Sequence, residues 1–342
     1  MTIALDATYS TGEQLSGVGL YSHEILFGTA AAHPAARFHF CYRPHRYLRA
    51  RREKLPSNVR RRLILEPFSP RGGDLFHGLN QRLPRMRFRR SVATFHDLFV
   101  MSGEYSTPEF RARFTEQARD AAERADAIIA VSEFTRSQVI SLLGVEPSRV
   151  HVVHHGTRRL VFPTMKRQNV ILNVGAIQTR KNIARLVEAF ETVDPDWRLV
   201  IAGSAGYGSA EILARIAASP ARDRIAVTGY VSPEELAAWY AMSSIFAFPS
   251  LDEGFGMPLL EAMAAGVPVV TSNRSALPEV AGDAAILVNP ESTEELAQSL
   301  RDLTQGGELR RSLASRGADR ARLFTWEKAV AETWNVYRKL LG

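Results

Sequence analysis

The sequence predicts an α/β fold of two doubly wound domains, each a parallel sheet covered by helices. Three observations carry that prediction. Short apolar runs alternate with longer helical patterns twice over, as strand–helix–strand units require. The alternation pauses across Thr157–Asn169, a basic, proline-containing stretch that reads as an interdomain linker, and then restarts. A chain of 342 residues is long enough for two cores of ordinary size.

In the first half, short apolar runs mark strands at Ile3–Leu5, Phe38–Tyr42, Asp74–Phe76, Ser91–Phe95, Ala127–Val131 and Val150–Val153. Helical spacing fits Tyr21–Ala31, Pro108–Arg124 and Glu133–Leu143. After Phe162-Pro163 the strands are Val170–Val174, Arg198–Ala202, Ile225–Val227, Ile245–Phe248, Val267–Thr271 and Ala285–Val288. Between or after them come helices Lys181–Val193, Ala210–Ala217, Pro233–Tyr240, Met257–Ala265 and Thr293–Leu303. Glu327–Leu341 is a long terminal helix with Trp334, Tyr337 and Leu341 on one face, a register suited to packing on another element. The expected divisions are residues 1–160, residues 161–325 and a closing helix 326–342.

Hydrophobic content of 45% and charged content of 23% are those of a soluble globular protein. The single cysteine, Cys41, allows no internal disulfide and no thiol-based metal site, so a reducing compartment is expected. The N-terminus lacks a signal-peptide pattern, and no apolar run approaches the ~20 residues needed to span a bilayer. The expected location is the cytoplasm or the cytoplasmic face of a membrane. The net charge of +7 is uneven: residues 1–160 hold 24 Lys and Arg against 15 Asp and Glu. The excess clusters between Arg43 and Arg62 and between Arg82 and Arg90. Such blocks suit a solvated face, an anionic membrane surface or an anionic acceptor. Stacking aromatics are sparse in the second block and no nucleic-acid motif accompanies either, so nucleic acid is not an expected partner.

The stretch Glu253-Gly254-Phe255-Gly256-Met257-Pro258-Leu259-Leu260-Glu261 is the most informative in the chain. It sets a carboxylate at each end of a glycine-rich turn that enters a helix. Gly254 and Gly256 permit positive φ and close approach of a ligand to the backbone. Pro258 suits a helix start, which places Glu253 in the loop and Glu261 in the first turn. Unpaired N–H groups and the positive end of the helix dipole then face outward, a site for a diphosphate. Carboxylates beside a phosphate site need a reason, and a sugar nucleotide supplies one. Its ribose presents vicinal hydroxyls to a carboxylate, and its hexose presents more hydroxyls near a centre that becomes positive as the glycosidic bond breaks.

Other motifs converge on the same ligand. Gly175 follows the second domain's first strand, and Arg180 and Lys181 sit where the next helix begins. Cations there cannot serve the helix dipole, so they suggest a bound diphosphate, gripped by an arginine fork and a lysine point charge. Gly203 after strand Arg198–Ala202 is placed to line the same pocket. Ser16-Gly17-Val18-Gly19-Leu20-Tyr21 opens the first helix with two glycines, a tight turn or a close backbone approach to a phosphate or acceptor. His96-Asp97 ends strand Ser91–Phe95, where a side chain of this fold faces the ligand, and Asp6 ends the first strand in the same way. Ser232, Pro233 and Glu235 form a capping box after Gly229-Tyr230-Val231. His154-His155 has no acidic cluster beside it, and adjacent side chains diverge, so no metal site is expected.

Taken together, these motifs strongly resemble the retaining glycosyltransferases of family 4, and the resemblance covers nearly the whole chain. It implies the GT-B fold, with the two Rossmann-like domains facing a central cleft and the terminal helix crossing back to the first. It implies that His96 hydrogen-bonds the transferred sugar near its reacting face, that Glu253 positions the hexose, and that Glu261 holds the ribose. It assigns Arg180 and Lys181, with the backbone of Gly254, Phe255, Gly256, Met257 and Leu260, to the leaving diphosphate, and the backbone at Val231 to the base. The glycines Gly17, Gly19, Gly175 and Gly203 match the family's close-approach positions. Two departures stand out: Leu20 replaces a usual basic or larger polar residue, and Ala176 replaces an arginine found in one branch.

The expected activity is transfer of a hexose from a nucleoside diphosphate sugar to a hydroxyl of a saccharide or lipid-linked acceptor, with the α configuration kept. The resemblance implies a front-face reaction in which the leaving phosphate takes the acceptor's proton. No cofactor and no metal are expected, since there is no Asp-x-Asp element and basic residues replace the cation. The motif variants look most like mannosyltransferase-type members, which favours GDP-mannose; UDP-glucose, UDP-N-acetylglucosamine and a deoxysugar donor are the other readings. A catalytically silent sugar-nucleotide-binding protein is the alternative from another class. Signatures of an epimerase or a pyridoxal-dependent phosphorylase of related fold are not apparent.

Overall fold

A computed structural model describes residues 1–12, 15–66, 73–86 and 88–342. Arg87, within the second basic block, lies outside the described residues. The chain divides into two compact units, Met1–Gly156 with Phe324–Gly342, and Thr157–Leu323.

Unit 1 runs β1 (Thr2–Asp6), α1 (Gly17–Ala32), β2 (Arg37–Tyr42), α2 (Pro44–Ala50), β3 (Val59–Leu63), β4 (Leu75–Gly78), β5 (Ser91–Phe95), α3 (Phe99–Ser102), α4 (Pro108–Arg124), β6 (Ala127–Ala130), α5 (Glu133–Leu143) and β7 (Val150–Val152). Its seven strands are parallel in the order β3-β2-β1-β4-β5-β6-β7. Unit 2 runs β8 (Gln168–Val174), α6 (Ile183–Phe190), β9 (Arg198–Ala202), α7 (Ser209–Ala217), β10 (Ile225–Gly229), α8 (Pro233–Met242), β11 (Ser243–Phe248), α9 (Met257–Ala264), β12 (Val269–Ser272), α10 (Leu277–Ala281), β13 (Ala285–Val288), α11 (Thr293–Gln305) and α12 (Gly307–Ala321). Its six strands are also parallel, ordered β10-β9-β8-β11-β12-β13. The last helix, α13 (Trp326–Leu341), belongs to unit 1.

Each sheet therefore reverses its winding once, beside β1 and β4 in unit 1 and beside β8 and β11 in unit 2. In doubly wound sheets the crevice at the strand carboxyl ends beside that reversal is where ligands bind. Parallel strands buried on both faces explain the near-continuous apolar runs in the sequence. In unit 1 one face packs Ile25, Leu26, Phe38, Phe40 and α13's Trp326 and Tyr337 into a single core. The other packs Phe76, Phe95 and Ile128 against α4 and α5. The α1–α13 contact is close: a Cβ at Gly28 would stand 2.6 Å from Val330 Cγ2.

The sequence reading needs several corrections. β3 is an edge strand whose Val-Arg-Arg-Arg-Leu run carries one buried residue, so it lacks the apolar signature of its neighbours. Helices α2, α3, α10 and α12 were not anticipated; α12, rich in arginine, buries only Leu313, Gly317 and Ala321. α1 begins at Gly17, capped by Ser16, rather than at Tyr21. The helix expected over Lys181–Val193 is interrupted at its start: Thr179–Lys181 form a 3₁₀ turn, Asn182 adopts φ 57°, and α6 covers only Ile183–Phe190.

Candidate functional site

In unit 2 the loop after β8 and the loop after β11 meet at the winding reversal. Glu253 is the centre. Its Oε2 lies 2.8 Å from Arg180 Nη1, and its Oε1 lies 2.5 Å from Lys181 Nζ. All three side chains are buried. Burial alone would raise the Glu253 pKa, but the Arg180 and Lys181 charges outweigh it and hold the carboxyl down at about 2. Two cations thus share one buried carboxylate at the strand ends. Lys181 Nζ also lies 4.8 Å from the centroid of the Phe248 ring, a cation–π contact. Arg180 Nη1 donates to the Asp252 carbonyl at 2.5 Å, and the Glu253 N–H donates to Ser275 Oγ at 3.1 Å. The loop is thus pinned from both sides.

The glycines have specific tasks here. Gly175 has φ 145°, and a Cβ there would stand 3.3 Å from Lys181 Cε. A Cβ at Gly203 would stand 1.9 Å from the Gly175 carbonyl oxygen. Gly203 thus lets β9's end close onto β8's end, and Gly175 leaves room for the lysine. Asn182 donates to the carbonyls of Pro249 and Pro290 at 3.1 and 2.7 Å, tying the cation turn to two strand ends.

Gly256 caps α9 with φ 107°, and no described side chain caps that helix start. Pro258 carries no N–H and that of Leu259 donates to the Gly256 carbonyl at 3.0 Å, so an anion at this helix start would be met by the Met257 and Leu260 N–H groups. Phe255 and Leu260 are buried and Met257 half-buried, so contact through Leu260 would fall to its backbone. Val231 is half-buried in the turn between β10 and α8, beside Gly229 with φ 72°.

Glu261 corrects an expectation: it is the fifth residue of α9, in the second turn, and faces inward at 3% exposure. Its Oε2 accepts from the Tyr240 hydroxyl at 2.9 Å, and its Oε1 lies 3.2 Å from Arg158 Nε. Burial raises its pKa, opposed by Arg158 and by the Tyr240 hydrogen bond. Sequence reasoning missed both partners. Arg158 was absorbed into the linker, and Tyr240 into an ordinary helix face.

In unit 1, His96 lies at the end of β5, buried. Its Nε2 is 3.0 Å from the Leu79 carbonyl, which can only accept, so Nε2 carries the proton. Its Nδ1 is 3.4 Å from His155 Nε2, and the two rings stack with centroids 5.3 Å apart. Desolvation lowers the His96 pKa to about 4, against the raising effect of the Leu79 bond, so the ring is neutral at pH 7. The Tyr21 ring meets both histidines edge-on. His154 turns instead to Phe324, so the adjacent pair diverges. Among the described residues, no group of three or more His, Cys, Asp or Glu is placed to hold a metal ion.

Gly17 and Gly19 lie in the first turn of α1. The Gly19 N–H donates to Ser16 Oγ at 3.2 Å, and a Cβ there would stand 2.9 Å from the Tyr9 carbonyl. Gly19 is thereby accounted for by the turn itself. Asp6, buried at the end of β1, accepts from the Thr8 N–H at 3.0 Å, which gives it a structural role. No described helix is long and apolar enough to cross a membrane.

Comparison with known proteins gives the relatives of this chain. Residues 159–320 match the model of glycosyl transferases group 1, and residues 23–158 that of glycosyltransferase family 4. The chain is 31% identical over 284 residues to the O-antigen chain mannosyltransferase B of Escherichia coli, covering 78% of this chain and 74% of that protein. Among solved structures, sucrose-phosphate synthase from Thermosynechococcus elongatus superposes with a TM-score of 0.78 at 21% identity, covering 99% of each chain. HepE from Anabaena, solved in complex with UDP and glucose, superposes at 0.73 with 17% identity, over 99% of this chain and 98% of that one.

Proposed function

We propose a specific reaction for a chain that belongs to the family 4 glycosyltransferases (glycosyl transferases group 1), has the GT-B fold and is a transferase enzyme. The reaction is transfer of mannose from GDP-mannose to a hydroxyl of a saccharide or lipid-linked acceptor, with the α configuration kept. The observation that carries it is the buried Arg180–Glu253–Lys181 cluster at the carboxyl ends of β8 and β11. Arg180, Lys181 and the first N–H groups of α9 stabilise charge as it develops on the leaving diphosphate. In this reading no metal is required. Glu253 orients the hexose hydroxyls and Glu261 the ribose hydroxyls. His96 is assigned the hydrogen bond to the transferred sugar. The leaving phosphate accepts the acceptor's proton.

Mannose is supported by the likeness to the E. coli mannosyltransferase. UDP-glucose is the second reading, favoured by the fold shared with the HepE complex. An anionic membrane surface, met by the basic residues of unit 1, fits a lipid-linked acceptor. Thermal stabilisation by GDP-, UDP-, ADP- and dTDP-sugars tests the donor, because a ligand of the folded state raises the midpoint by mass action. One donor should raise it, with the shift lost in Glu261→Ala. A donor that binds but undergoes neither transfer nor hydrolysis would favour a silent sugar-nucleotide-binding protein.

A further inference from the structure

Strand alternation places four nitrogen-bearing side chains on one face of the β2–β3 edge of unit 1. Phe38, Phe40, Tyr42 and Val59 turn into the core that α1 and α13 complete. Arg37 and His39 of β2, with Arg60 and Arg62 of β3, therefore take the opposite face. The parallel register sets His39 beside Arg60 and Cys41 beside Arg62. The four line a hollow of about 580 Å³ with Thr2 and Asn58, and no carboxylate lines it. Among the described residues, none of these three arginines forms an ion pair, whereas Arg61 on the other face donates to the Glu53 carbonyl. Burial, then Arg62 and Arg60, keep His39 below the usual imidazole range, so its neutral ring offers one donor and one acceptor.

We propose that Arg37, His39, Arg60 and Arg62 form a binding groove for a phosphate group. Three guanidinium forks exceed what one carboxylate can satisfy and match a tetrahedral dianion with several acceptor oxygens. Thr2 and Arg37 open β1 and β2, so the groove sits toward the amino ends of these strands, opposite the ligand end of the sheet. It uses no residue of the diphosphate cluster in unit 2.

The test compares the full chain with Arg60→Gln/Arg62→Gln and with Arg51→Gln/Arg52→Gln, which removes the same charge just beyond α2. Inorganic phosphate is titrated by calorimetry, and vesicles of phosphatidylglycerol and of phosphatidylcholine are used in sedimentation. Arg60→Gln/Arg62→Gln should weaken phosphate binding at least about tenfold, and Arg51→Gln/Arg52→Gln by no more than about twofold. Both should keep the thermal shift given by the sugar nucleotide, which reports folding and the donor site independently. Phosphatidylglycerol binding that is competed by phosphate and lost with Arg60 and Arg62 assigns the group to a lipid headgroup. Phosphate binding with no vesicle preference assigns it to a free phosphate compound. Equal losses in the two double variants, or no saturable phosphate binding by the parent chain, overturn the proposal and leave these arginines as protection for an edge strand.

Discussion

Lys181 Nζ and Glu253 Oε1 lie 2.5 Å apart, buried, and Arg180 closes on the other carboxylate oxygen at 2.8 Å. The cations assigned to a diphosphate thus already hold the carboxylate assigned to the hexose. The two cations keep the buried carboxylate ionised, so the cluster is built before any ligand arrives.

Glu253→Gln should consequently act in two ways. It leaves Arg180 and Lys181 buried without their counter-charge, costing about 3 kcal/mol of stability. It also removes the proposed hexose contact, lowering kcat/KM about a hundredfold or more. Chemical denaturation and transfer assays measure the two separately. Wild-type stability in the variant would mean that the ion pairs contribute nothing.

The two glutamates should respond oppositely to pH. Glu253 falls from 4.5 to about 2 in the folded chain, so its contribution is full above pH 4.5 and is lost as pH falls toward 2. That shift corresponds to about 3 kcal/mol. Glu261 is raised, so what it contributes is present below pH 4.5 and is lost as pH rises through its folded value. Stability curves from pH 2 to 8 should converge for wild type and Glu253→Gln at the acid end. Glu261→Gln should gain on wild type at neutral pH while losing the donor-induced shift.

Arg158→Ala removes the one cation paired with Glu261 in the described structure. The carboxyl should then rise further in pKa and present a weaker acceptor to ribose. Donor affinity should drop about tenfold, and the loss should deepen as pH falls and the carboxyl takes up a proton. A pH-independent loss would mean that Arg158 contacts the donor directly. Tyr240→Phe, which removes the hydroxyl shared between Glu261 and the Pro258 carbonyl, should cost about 1 kcal/mol.

Packing of α13 is open to a sharper test. A Cβ at Gly28 would stand 2.6 Å from Val330 Cγ2, so Gly28→Ala should destabilise unit 1 by about 1–3 kcal/mol. Val330→Ala opens that space, and the double variant should recover part of the loss, a coupling visible in a double-mutant cycle.

Much of this was legible in the sequence because the physics was local. Pro108–Arg124 and Glu133–Leu143 were read to the residue, since Thr107 and Ser132 cap them in sequence-visible ways. Glu253, Arg180 and Lys181 were each singled out, but their mutual pairing was not, because residues 72 positions apart meet only through the sheet. Arg158 was hidden for the same reason: nothing near it in the chain distinguishes it from other linker cations. The turn assigned to Glu261 was wrong because Gly256, with φ 107°, starts α9 one residue before Pro258. β3 was invisible because three arginines replace the apolar residues that mark a strand.

The placement of α13 also dictates an order of assembly. Unit 2 is one continuous segment, whereas unit 1 needs Trp326, Val336 and Tyr337, which follow it in the chain. During synthesis, unit 2 can complete its core while the hydrophobic face of α1 and β2 still awaits its cover. The cover that Trp334 gives to Phe38 and Val330 gives to Gly28 is missing until α13 emerges. A nonsense mutation anywhere between residues 157 and 325 would therefore release a first domain that is complete in its strands yet adhesive on one face.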